Sequence, residues 1–145
     1  MIIGVGNGFR GDDAAGLVAA RRLRSTLRVP VRELEGDPAK LMDAWENCES
    51  VILVDAVSSG SPPGTLHRFD AHEAPLPSTL FRGSTHAFGV PDVIELARAL
   101  HRLPRKLVVY GIEARNFTAG EGLSPEVEDA VERVVQRIEK ECGHA

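Results

Sequence analysis

Two apolar runs constrain the fold of this chain more than anything else in it: Val51-Ile52-Leu53-Val54 and Leu107-Val108-Val109-Tyr110-Gly111-Ile112. Neither alternates apolar with polar positions, so each must hide both of its faces from water. Strands of that kind lie inside parallel sheets covered on two sides. A parallel neighbour is reached only through a long crossover, and helical patterns do stand between the strand patterns.

The remaining elements are read around these two runs. Ile2 to Val5 is a short apolar run breaking into Gly4, Gly6 and Gly8, as a buried strand does where it enters a loop. Asp12 is suited to cap a helix ending near Arg28, on which Leu17, Val18, Arg21, Leu23 and Leu27 leave an incomplete apolar stripe. Val29 to Leu34 reads as a second strand, and Asp37-Pro38 opens a short helix through Trp45. The run at 51–54 ends at Asp55, which places that carboxylate at a strand's carboxyl end. Thr65 to Phe69 alternates as an edge strand does, and Ala71 to Gly83 is irregular.

Val90, Val93, Ile94, Ala97 and Leu100 return at helical spacing. After Ser124-Pro125, Val127, Ala130, Val131, Val134, Val135 and Ile138 mark the core face of a last helix. The expected architecture is a three-layer α/β/α sandwich with a central, mostly parallel sheet of about five strands, built as one domain over residues 1–145.

Composition narrows the partners. A net charge of -4 offers no broad positive field for a phosphate backbone or an anionic lipid surface, so neither nucleic acid nor membrane is expected. Arg21, Arg22, Arg24 and Arg28 read as a solvated helix face. The first residues, Met1-Ile2-Ile3-Gly4-Val5-Gly6, resemble neither a signal peptide nor a membrane span, and a cytoplasmic protein is expected. Cys48 and Cys142 form no CxxC pair and suggest free thiols rather than a zinc or redox motif.

Glycines after a first strand suggest dinucleotide binding, but Phe9 stands where the third glycine of that fingerprint belongs. There is no G-x-S-x-G elbow and no H-E-x-x-H pair. Taken singly, Asp12 and Asp13 are explained by a helix start, Asp55 by an Asx turn, and His86 by a polar loop. Taken together, the first loop, the end of the strand at 51–54 and the loop before the third helix all reach one rim of a parallel sheet. Two carboxylates and an imidazole there suit a divalent ion: nickel, zinc, manganese or iron by donor type, with positions left open for a substrate. His67, His72, His101 and His144 fall outside that rim.

Gly4-Val5-Gly6-Asn7 followed by Asp12-Asp13, then Val51-Ile52-Leu53-Val54-Asp55, then Thr85-His86, resembles the hydrogenase maturation endopeptidases in order and spacing. Pro63-Gly64-Thr65, Tyr110-Gly111-Ile112-Glu113 and Gly122-Leu123-Ser124-Pro125-Glu126-Val127 extend the resemblance over nearly the whole chain. It implies that Asp13, Asp55 and His86 bind the metal and serve the reaction, with Asp12 as the helix cap. Asp13 stands where the family often has glutamate. The resemblance further implies an endopeptidase that removes a C-terminal peptide from the precursor of a nickel-iron hydrogenase large subunit after nickel insertion. A two-carboxylate, one-histidine set with open positions suggests that nickel is supplied mainly by the substrate. A metal-assisted hydrolase of a small substrate and a nickel-sensing or carrier module that does not cut are the alternatives.

Overall fold

The computed structural model describes residues 1–8, 10–35, 38–77, 89–117 and 122–142. Five strands form one sheet: β1 (Ile2–Gly6), β2 (Val31–Glu35), β3 (Ser50–Val57), β4 (Leu66–Asp70) and β5 (Lys106–Glu113), in the spatial order β2-β1-β3-β5-β4. All neighbours are parallel except β4, which runs antiparallel along β5 and forms the edge, as its alternating sequence predicts. β3 and β5, the two uninterrupted apolar runs, are paired at the interior of the sheet.

The helices are α1 (Ala15–Thr26), α2 (Leu41–Ala44), α3 (Val90–Ala99) and α4 (Pro125–Cys142). On one face of the sheet Ile2, Ile52, Val54 and Tyr110 pack with Ala19, Leu23, Val131 and Val134 from α1 and α4. On the other, Ile3, Leu53 and Val109 pack with Leu41, Trp45, Val93 and Ile94 from α2 and α3. The result is the three-layer sandwich with a mostly parallel five-stranded sheet. No helix among the described residues is long and apolar enough to cross a membrane.

Several boundaries differ from those expected. The first helix does not begin at an Asp12 cap: residues Gly11–Ala14 form a 3-10 turn, and the α-helix starts at Ala15 with no side-chain cap bond. Its buried face is Ala15, Gly16, Leu17, Ala19, Ala20 and Leu23, small residues that leave a weak apolar stripe but let the helix lie close to the sheet. The second helix is split into a 3-10 turn, Pro38–Lys40, and the short α2, while Asp37 lies outside the described residues. β3 continues two residues past Asp55, because its ladder with β5 runs on through Val57 opposite Glu113. The arginines of α1 pair with acids on neighbouring elements, Arg21 and Arg24 with Glu33 at 2.7 and 2.6 Å and Arg22 with Glu128. Such exposed pairs add little stability, as a solvated face implies.

Candidate active site

The carboxyl ends of β1, β3 and β5 define one rim of the sheet. Glycines decide how closely the first loop approaches it. A Cβ on Gly16 would lie 2.3 Å from the Val54 carbonyl oxygen and 2.5 Å from that of Val5, so only glycine lets the start of α1 rest on β1 and β3. A Cβ on Gly6 would lie 2.0 Å from the Asp13 carbonyl oxygen, which accepts a bond from the Asn7 N–H at 3.3 Å. The close-packing glycine missing at Phe9 is thus supplied later, by Gly16.

This approach brings Asp13 into electrostatic reach of Asp55. Asp55 lies on β3 opposite Gly111 of β5 and is only 8% exposed. Burial, above all, pushes its carboxyl well above the ordinary carboxylate range, the negative charge of Asp13 pushes it further, and only the Ala56 N–H, donating to Oδ1 at 2.8 Å, opposes them. A buried acid beside a second acid is at ease only when one of them holds a proton or when a cation joins them.

Asp12, next door in sequence, has a different environment. It is 1% exposed, and its carboxylate accepts bonds from the N–H groups of Arg115 at 2.8 Å, Asn116 at 3.0 Å and Ser124 at 2.7 Å, and from the Ser124 hydroxyl at 2.6 Å. The expectation that Asp12 caps the first helix is therefore corrected: it binds the chain leaving β5 to the residue that precedes α4. Its own N–H donates to the Asn116 carbonyl at 3.0 Å. The 3-10 turn carrying both acids is anchored through Asp12, which leaves Asp13 as the member of the pair that acts on Asp55.

His86, the third residue singled out from the sequence, lies outside the described residues. Among the described residues no group of three metal-donor side chains is assembled, so the structure joins Asp13 to Asp55 and adds no third donor. The helix that His86 precedes in sequence is placed: Gly89 donates its N–H to the Asp92 carboxylate at 2.9 Å and opens α3. Of the other histidines, His67 bonds the buried Glu113 at 3.1 Å and His72 bonds the Pro104 carbonyl at 2.7 Å. Glu113 is a polar core residue that the sequence offered only as part of a similar stretch. Beside the start of α1 a cavity of about 290 Å³ opens, with Gly8, Ala14, Leu17, Val18 and Leu123 among its walls.

The family model for hydrogenase maturation proteases matches residues 25–141. The hydrogenase 2 maturation protease of Escherichia coli (strain K12) is 30% identical over 95% of this chain and 87% of the relative. The solved structure of the hydrogenase maturating endopeptidase HybD from E. coli superposes with a TM-score of 0.75 at 26% identity, covering 94% of this chain and 87% of the other. The hydrogenase maturation protease HybD from Thermococcus kodakarensis gives 0.72 at 29% identity, covering 97% of both chains. With the family model matched over residues 25–141 and a relative 30% identical over 95% of the chain, the chain belongs to the hydrogenase maturation protease family.

Proposed function

We propose that this protein is the cytoplasmic endopeptidase that removes the C-terminal extension from the large-subunit precursor of a nickel-iron hydrogenase once nickel is in place, and that Asp13, Asp55 and His86 read that nickel. Family membership supports the protease, and one observation supports the metal reading: the buried Asp55 is set beside Asp13, an arrangement a divalent cation would relieve. Two carboxylates and an imidazole match nickel by donor type and leave positions for ligands from a second protein. When bound, the ion supplies Lewis acidity toward the peptide carbonyl at the cut.

The chain's own groups do the rest. Asp55 Oδ1 is fixed by the Ala56 N–H, so Oδ2 is the oxygen that takes up or releases a proton. Burial raises the proton affinity of the Asp55 carboxyl, the direction that a general acid or base at a peptide bond requires. Asp13 orients the substrate's metal side against Asp55, and Asp12 keeps the turn that carries Asp13 in register with the rim. Incubation with nickel-loaded precursor, followed by intact-mass measurement of the products, tests this reading. One cut near the large subunit's C-terminus is expected. An uncut precursor under conditions where the protein is folded refutes it.

A further inference from the structure

Glu113, the last residue of β5, is 2% exposed and has no part in the reaction as derived above. Its Oε2 accepts the Ser59 N–H at 2.8 Å, and its Oε1 accepts the Ser59 hydroxyl at 2.5 Å and meets His67 Nε2 at 3.1 Å. Ser59 stands four residues beyond Asp55, in the connection from β3 to β4, and His67 stands on β4, so one carboxylate fastens both ends of that loop. Gly111 makes room for the network, since a Cβ there would lie 2.8 Å from the Val57 side chain and 3.6 Å from the Cβ of His67.

The loop is tied down elsewhere too. Gly64 donates its N–H to the Glu113 carbonyl at 2.8 Å, and its own carbonyl accepts from Arg133 of α4 at 2.8 Å. Yet its crest is open: Ser59, Gly60, Pro62 and Pro63 are exposed, and nothing lies within 4 Å of a Cβ placed on Gly60. A hydrogen-bonded network around a buried carboxylate that holds a solvent-facing crest of serine, glycine and proline contributes little to a core. It does provide a preformed edge that another backbone can approach closely, at small cost in loop ordering.

We propose that Glu113 is a positioning residue, pinning the loop at 58–64 as a preformed wall of the surface that docks the precursor protein beside Asp55. This rests on the protease reading above. The partner is the large-subunit precursor, because the loop leaves the strand that carries Asp55 and rises from the same rim of the sheet.

The network's chemistry distinguishes positioning from a need for charge. Glutamine at 113 can still accept the Ser59 N–H through its carbonyl, while its NH₂ donates to the hydroxyl of Ser59 and to a neutral His67 ring, both of which can accept. Glu113→Gln should therefore keep kcat and KM within about threefold of the parent. Glu113→Ala releases the loop and should raise KM for nickel-loaded precursor by about tenfold with kcat nearly unchanged, the pattern of lost binding that is uniform along the reaction. Pro63→Arg, which adds bulk to the exposed crest and removes no contact of Glu113, should also raise KM while melting like the parent.

Amide hydrogen exchange on the free protein reads the pin without substrate: Ser59 should be protected in the parent and in Glu113→Gln, and fast in Glu113→Ala. A Glu113→Gln as impaired as Glu113→Ala, a Glu113→Ala that lowers kcat at unchanged KM, or a Pro63→Arg with parental KM would each overturn the proposal. A parent that is folded, protects Ser59 and neither binds nor cuts precursor would instead overturn the protease reading, and the docking role with it.

Discussion

Asp12 and Asp55 are both buried carboxylates within a short reach of Asp13, and their surroundings are opposite. Asp12 collects three backbone N–H groups and a hydroxyl from the chain on either side of the β5 to α4 connection. Among the described residues Asp55 has one N–H, from its own neighbour, and it feels the negative charge of a second acid, Asp13. The first arrangement is what folding stability asks of a buried acid, since both carboxylate oxygens accept hydrogen bonds, three on Oδ2 and one on Oδ1. The second is unfavourable to the fold and is the kind of environment kept where a group must exchange a proton or take a cation. On the proposed reading, adjacent residues in the sequence thus separate into an anchor, Asp12, and a working group, Asp13.

The largest effects should come from the working side. Asp13→Asn, Asp55→Asn and His86→Ala should each reduce precursor cleavage by roughly 100-fold or more while the protein stays folded, because on the proposed reading each removes a metal ligand and not an apolar core contact. Near-normal cleavage by any two of them would break the comparison. Val134→Asp is the opposite kind of change: Val134 is wholly buried under the sheet, and an unpaired carboxylate there should cost roughly 4 kcal/mol or more, with activity lost only by unfolding. A Val134→Asp protein that melts like the parent but cannot cut would move α4 into the site.

Asp12→Asn sharpens the contrast on the anchoring side. Whichever way the amide is turned, its NH₂ faces at least one backbone N–H, at Ser124 or at Arg115 and Asn116, and none of these can reverse. A loss of about 1–3 kcal/mol is expected, read as a lower melting temperature. Asparagine would be nearly neutral if Asp12 were only a helix cap, so an unchanged melting point would contradict the network.

The smallest effect has the opposite sign. Folded Asp55 holds its proton more tightly than the unfolded chain does, so its contribution to stability is fully present below the unfolded carboxylate's value and is lost as pH rises through the folded, raised value. At neutral pH the metal-free parent should accordingly be slightly less stable than Asp55→Asn. The difference should vanish in acid, which thermal melts across pH can follow. A variant less stable than the parent at neutral pH would mean that Asp55 is satisfied after all.

The fold could be read from the sequence because β-branched runs buried on both faces leave few alternatives, and the edge strand and the last helix followed. α1 was harder, since its core face is made of Ala15, Ala19 and Ala20, which carry little apolar signal, and Gly16 works by having no side chain. β3 extends past Asp55 because the ladder with β5 persists, which places that carboxylate inside the strand and lowers its exposure. The sequence could offer both acids of the Asp12-Asp13 pair but could not divide their labour. The donors that settle it lie more than a hundred residues away, at 115, 116 and 124. Glu113 escaped for the same reason, its partners being Ser59 and His67.

On the proposed reading, the cation that joins Asp13 and Asp55 is brought by the substrate. Metal analysis of the purified protein, alongside cleavage of nickel-loaded and nickel-free precursor, tests it most directly. Little stoichiometric metal in the enzyme and cutting of the nickel-loaded form alone is the predicted result. A full equivalent of tightly held zinc, together with cutting of the nickel-free form, would contradict it.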